Sequence, residues 1–255
     1  MRSHSKIFAI AVLAVGVQVA GVVVLVGACG GSSDTPPGPL ARHFDDMYIA
    51  AIPLEQKQSV VTTQNDWSVA KMQNAKAEAD YNESNTLLSI VRNDQKAAKL
   101  GVESALASKK SAEASADTNR MNQATRDLHN AEGVVKAADA RVKYYEAYRE
   151  YLKVELRHAQ ENMYWREAQY ELAKAQLGQK SNIAPKGVAY DAFPKQEEER
   201  NKRAGSSKQR VEESRRRALS ARDSWLKAQE TADRETGRSQ NVPDPLGSKA
   251  SASSQ

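Results

Sequence analysis

No proline occurs between Pro53 and Pro185, and only Gly101, Gly133 and Gly178 interrupt the stretch with glycine. Proline removes a backbone donor and glycine raises the entropic cost of helix, so a long run nearly free of both favours continuous helix. The spacing of apolar residues agrees. From Val60, steps of three and four reach Thr63, Trp67, Ala70, Asn74, Ala77, Tyr81, Ser84, Leu88, Val91, Gln95, Ala98, Val102 and Ala105. A second run is more regular: Met121, Ala124, Leu128, Ala131, Val135, Ala138, Val142, Tyr145, Arg149, Leu152, Leu156, Ala159, Met163, Arg166, Tyr170, Ala173 and Leu177. Heptad spacing sustained over this length predicts an all-α chain with a coiled-coil seam.

The two runs are out of phase, and the slip falls near 107–118, where Ser115 and Asp117 are residues suited to capping a helix. The pattern predicts an antiparallel coiled-coil hairpin over 45–177, with arms of about 60 residues, roughly 90 Å each at the rise of an α-helix. A single helix carrying a stutter is the other arrangement the pattern allows, but it would leave its apolar stripe bare unless another chain covered it. Pro53 suits the first turn of the first arm. Residues 178–194, with Asn182, Pro185, Gly187 and Pro194, read as a linker, and 195–236 as a third helix. Its stripe is Ala204, Ser207, Val211, Ser214, Ala218, Ala221, Trp225, Ala228 and Ala232. From Gly237 the composition predicts a disordered tail, 237–255.

The first residues have a different character. Arg2 and Lys6 precede a run from Ile7 to Ala28 in which Gln18 is the one clearly polar side chain. A basic start, an apolar middle and small residues at the end describe a secretory signal over 1–28. The run closes Val26-Gly27-Ala28-Cys29-Gly30-Gly31, and Cys29 is the only cysteine of the chain. This resembles the lipobox of bacterial lipoprotein precursors, in which the cysteine is acylated and becomes the first residue after cleavage. The resemblance rests on Val26, Gly27, Ala28 and Cys29, with Val26 where leucine is commoner. It implies a lipid-anchored envelope protein, tethered through a flexible 29–44. Gly30 after the cysteine implies sorting to the outer membrane, with the body facing the periplasm. The competing reading is an uncleaved membrane anchor, since the run from Ile7 to Ala28 is as long as the ~20 residues that span a bilayer.

Little in the body points to chemistry. One cysteine excludes an internal disulfide and any multi-cysteine metal site. His129 and His158 are more than 40 Å apart along one helix, by the rise of about 1.5 Å per residue, and His158 reads as a surface position. There is no phosphate loop and no nucleophile elbow, and the carboxylates have neighbours three or four residues away, as on solvated helices. The formal charge of +5, with bases and acids interspersed, gives no general affinity for nucleic acid. The chain therefore reads as a non-enzyme without cofactor or metal.

Two features could hold a partner. Tyr144, Tyr148 and Tyr151 share a helix face that the seam at Tyr145 does not use. It either packs against the third helix, or against the linker near Tyr190 and Phe193, or it is an exposed docking face. Arg215, Arg216 and Arg217 form either a solvated face paired with Glu212 and Glu213 or a contact for an anionic envelope polymer. The leading expectation is a membrane-anchored structural scaffold or adaptor. The alternative is an accessory module that captures an envelope protein, or such a polymer, on an exposed tyrosine face. The partners implied are a membrane, envelope proteins and further copies of the chain.

Overall fold

The computed structural model describes residues 36–239 and 242–247; the signal and lipobox readings on 1–35 lie outside these. Among the described residues the chain runs through α1 (Asp46–Ile49), a 3-10 turn, Leu54–Gln56, then α2 (Gln58–Ala114), α3 (Thr118–Lys180) and α4 (Ala192–Thr236), and is helical again at 245–247. The chain is all-α among the described residues, and its three long helices form the expected hairpin with a third helix. With 57 and 63 residues, α2 and α3 are about 85 and 95 Å long, and α4, with 45, about 68 Å.

The hairpin turns at 115–117, inside the window where the apolar phase slips. Asp117 caps α3, its carboxylate accepting from the N–H groups of Asn119 (2.9 Å) and Arg120 (3.2 Å). Ala116 supplies the reversal at φ 54°, a left-handed conformation that costs an alanine more than a glycine. The other end of α3 closes on a left-handed Asn182 (φ 56°), with Ile183 N–H donating to Gly178 O and Asn182 N–H to Gln179 O, a Schellman closure. Two boundaries differ from expectation. Helix α4 begins at Ala192 rather than 195, because Pro194 then falls in its first turn, where a missing N–H is tolerated. Pro53 starts the 3-10 turn and not α2 itself.

Helix α3 is the middle of the molecule. Along α2 it pairs Arg92 with Glu146 (2.8 Å), Asp94 with Arg141 (3.0 Å) and Asp66 with Arg166 (3.8 Å). Along α4 it pairs Glu161 with Arg203 (3.0 Å) and His129 with Glu235 (3.6 Å). In both series one number rises as the other falls, so α3 runs antiparallel to both neighbours. Helix α4 ends level with His129, which leaves 118–128 and the facing end of α2 as a two-helix tip.

Two aromatic clusters hold the helices together. The basal one contains Phe44, Ile49, Val60, Tyr170, Ala173, Ala175, Leu177 and Phe193. The central one contains Leu88 and Val91 of α2, Val142, Tyr144, Tyr145, Tyr148, Tyr151 and Leu152 of α3, Ala218 and Trp225 of α4, and Leu246. Of the α4 stripe read from sequence, Ala204, Ser207, Ser214, Ala218, Trp225 and Ala232 are buried.

Two segments expected to be flexible are docked instead. Of the tether 29–44, the described part places Pro37, Leu40 and Phe44 in buried positions. Of the tail 237–255, residues 242–247 lie against α3 and α4, with Leu246 buried. Both are held by long-range hydrogen bonds to backbone groups, which local composition does not reveal.

Candidate functional site

The most elaborate local structure lies at the base, where the N-terminal segment meets the ends of α3 and α4. Residues 38–44 form a strap. Arg200 of α4 donates Nη2 to the carbonyls of Gly38 (3.0 Å) and Pro39 (3.1 Å). Gln196 exchanges two hydrogen bonds with the backbone of Arg42, accepting from its N–H (2.9 Å) and donating to its carbonyl (3.0 Å). The strap ends on Phe44, whose ring is 1% exposed and meets Tyr48, Tyr190 and Phe193 with centroids 5.6–6.0 Å apart. Gly178 makes room for it: a Cβ there would lie 2.6 Å from Phe44 Cζ. Tyr190 in turn donates its hydroxyl to Ile183 O, fixing the turn between α3 and α4.

Beneath the strap sits a buried ion cluster. Lys174 is 4% exposed and lies 2.9 Å from Glu171 and 2.8 Å from Asp46. Glu171 also accepts the Phe44 N–H (2.5 Å) and approaches His43 Nδ1 at 3.6 Å. Burial pushes the Lys174 amine down, but hydrogen bonds to Asp46 and Glu171 outweigh it and hold the amine above its usual range. The arrangement joins α1, the strap and α3: Lys174 and Glu171 are taken out of water, so losing either strands the other, while Asp46 keeps a largely solvated side chain. A second buried acid, Glu161 (2% exposed), is gripped by Arg157 (3.3 Å) and Arg203 (3.0 Å) and fixes the register of α4 on α3.

The tyrosine face is not an exposed docking surface, and this corrects one of the two readings. Tyr144, Tyr148 and Tyr151 are 0%, 4% and 8% exposed. Trp225 of α4 stacks on Tyr144, with centroids 5.3 Å apart and planes at 7°. The 242–247 segment closes the cluster: Tyr144 donates its hydroxyl to Asp244 (2.8 Å) and accepts the Leu246 N–H (3.2 Å). Tyr145 donates to Pro243 O (2.8 Å), and Arg222 donates to Asp244 at 2.6 Å. Burial, with Asp244 adding to it, pushes the Tyr144 phenol far above its ordinary range, so this hydroxyl is a structural donor. The linker aromatics Tyr190 and Phe193 cover the basal cluster instead. The one sequence signal for the docked tail is Leu246, an aliphatic residue just after Pro243-Asp244-Pro245.

Arg215, Arg216 and Arg217 are all exposed. Arg217 approaches Glu213 at 3.9 Å and Arg216 Nε donates to Glu212 O (3.4 Å), which is a solvated helix face worth little in stability. His158 is half-buried between α3 and α4 rather than at the surface, with Nδ1 2.8 Å from Ser207 Oγ. Desolvation, then Lys208, lowers its pKa. Ser207 is 1% exposed and its hydroxyl also donates to Ala204 O, so the pair offers no accessible nucleophile.

Among the described residues no group of three or more His, Cys, Asp or Glu is placed to hold a metal. No helix there is long and apolar enough to cross a membrane. One cleft, of about 240 Å³, opens where α2, α3 and α4 meet; Ala97, Ala98, Ala137, Ala138 and Ala232 line it, with Asp94 and Arg141 at its edge. Gln229, Asp233 and Thr236 of α4 complete its lining. No protein-family model, no curated protein and no solved structure matches the chain.

Proposed function

We propose that this chain is a lipid-anchored structural scaffold of a bacterial envelope, a stiff spacer whose anchored end is its strapped base. The observation that carries the reading is the strap. Residues 38–44 are clamped to the end of the rod opposite the hairpin tip, by Arg200, Gln196 and the socket of Phe44. Only residues 30–35 separate Cys29 from the first described residue, a length that reaches at most about 25 Å. A lipid on Cys29 would therefore hold the base close to a bilayer and present the tip some 80 Å or more away, at about 1.5 Å per residue of α2. Stable anchoring follows when more than one acyl chain is attached, each buried CH₂ contributing roughly 0.8 kcal/mol.

The test is acyl labelling and fractionation. With the unaltered chain, a palmitate analogue labels the protein and the label stays with the outer membrane. Cys29→Ser should lose the label and leave the membrane fraction; continued labelling of that variant would defeat the reading. A photoreactive residue at Asn119, beside the tip turn, should capture an envelope component repeatedly in intact cells.

A further inference from the structure

The two most exposed large apolar side chains among the described residues are Met47, at 80%, and Leu54, at 70%. Both belong to the loop between the strap and α2. There Met47 to Leu54 is a run of eight residues whose one polar side-chain group is the Tyr48 hydroxyl. The loop has a fixed shape. Asp45 caps α1 through the Met47 N–H (2.8 Å), Ile49 is buried in the basal cluster, and Lys57 Nζ donates to Ala50 O (3.0 Å). Tyr48 meets Phe44 edge-on and stays partly open to solvent, and Leu54 lines one open hollow with Val61. Single apolar residues on a surface need no explanation, but a shaped loop that turns Ile49 inward and leaves its other large apolar side chains outside marks an interaction surface.

Position and charge select the partner. Pro39 is held by Arg200, eight residues into α4 and so about 12 Å from the base. The segment 30–35 reaches up to about 25 Å, enough to bring Cys29 back level with the loop. Of the loop's carboxylates, Asp46 holds Lys174 and Asp45 caps α1, which leaves Glu55. Arg42, Lys57, Lys180 and Lys186 stand at the same end of the rod, where Asp191 is taken by Lys195. We propose that Met47, Tyr48 and Leu54 enter the headgroup boundary of the bilayer that holds the chain and fix how the rod stands on it. This rests on the anchored reading above, and is the same for an acylated Cys29 and for an uncleaved apolar run at 7–28. Apolar tips beside a tyrosine and lysines suit that boundary, where rings and long basic side chains place one end in each medium. Three such side chains bind a bilayer weakly by themselves. A short tether raises their effective concentration to roughly the millimolar range, so that even a weak contact is populated.

The experiment uses the full chain, purified from cells and reconstituted in vesicles of phosphatidylethanolamine and phosphatidylglycerol. A nitroxide is placed through Met47→Cys, Leu54→Cys or, on the tip, Met121→Cys, all at exposed positions. The parent chain is the blank, and takes label only where Cys29 is free. Labels at 47 and 54 should lose collisions with a water-soluble nickel chelate and gain them with oxygen, while the label at 121 behaves as in water. Adding Leu54→Glu to the Met47→Cys chain should return the label at 47 toward the aqueous value. A chain that stays with the vesicles but leaves 47 and 54 as open to nickel as 121 overturns this inference alone. A chain that does not stay with the vesicles, and whose Cys29 takes label, overturns the anchored reading and this inference with it.

Discussion

The two ends of the hairpin are built from the same two helices in different ways. At the base, α2 and α3 are joined by α1, α4 and the strap, around Phe44, Tyr170 and Phe193 and over a buried Lys174–Glu171 pair. At the tip, α2 and α3 have only each other, through Ala112 and Ala124. Small seam residues allow close helix approach but bury little area, and buried apolar area is the main favourable term. Cohesion is therefore concentrated where the chain would be anchored. The tip is held least, as expected of parts that open locally.

The comparison breaks most sharply at Phe44. Phe44→Ala should lower unfolding free energy by about 3–4 kcal/mol in denaturant titrations, the range for a fully buried aromatic. Met121→Ala, at 39% exposed on the tip, should fall within roughly 0.5–1 kcal/mol. Lys174→Met should cost about 3 kcal/mol, near the lower end for breaking a buried pair, because Asp46 remains largely solvated. Its second readout is limited proteolysis, which should cut the strap before any other site.

How far the sequence foretold this contrast depends on the range of the interactions. The arms, the turn and α4 are written in local periodicity: the slip between the runs from Val60 and from Met121 marked 107–118, and the chain turns at 115–117. The burial of Tyr144, Tyr148 and Tyr151 was foreshadowed by their spacing, which demanded a cover, and Trp225 supplies it. The strap and the docked tail were not legible. Arg200 and Gln196 reach back more than 150 residues to backbone carbonyls and amides, and such contacts leave no pattern in the strap's own composition. Proline and glycine near 36–39 signalled the absence of helix, which is not the absence of order. Nothing in the apolar count alone distinguished Glu161, Glu171 and Lys174 from the many solvated charges around them.

Smaller effects sharpen the picture. Tyr144→Phe removes the donor to Asp244 and the acceptor for Leu246, and should cost about 1–1.5 kcal/mol while freeing 242–247 to protease. At the tip the sign reverses. Ala116→Gly relieves a left-handed alanine and should stabilise the turn by about 1 kcal/mol, with no change at the base. The smallest effect is the pH dependence from His158. Its pKa is depressed in the folded chain by desolvation and then by Lys208, so the unfolded chain binds the proton more readily. Its contribution is complete above the ordinary value of 6.5 and declines as pH falls below it. Thermal scans of the parent and His158→Asn between neutral and mildly acidic pH should differ in that direction, and parallel curves would remove His158 from the account.

The most direct measurement of the central contrast is hydrogen exchange read residue by residue in the intact chain. The amide of Phe44 and those of α3 from Tyr170 to Leu177 should exchange only with global unfolding, while amides of 108–126 should exchange earlier through local opening. A strap whose amides exchange as fast as free peptide, beside a well-protected tip, would contradict a base made rigid and a tip left loose.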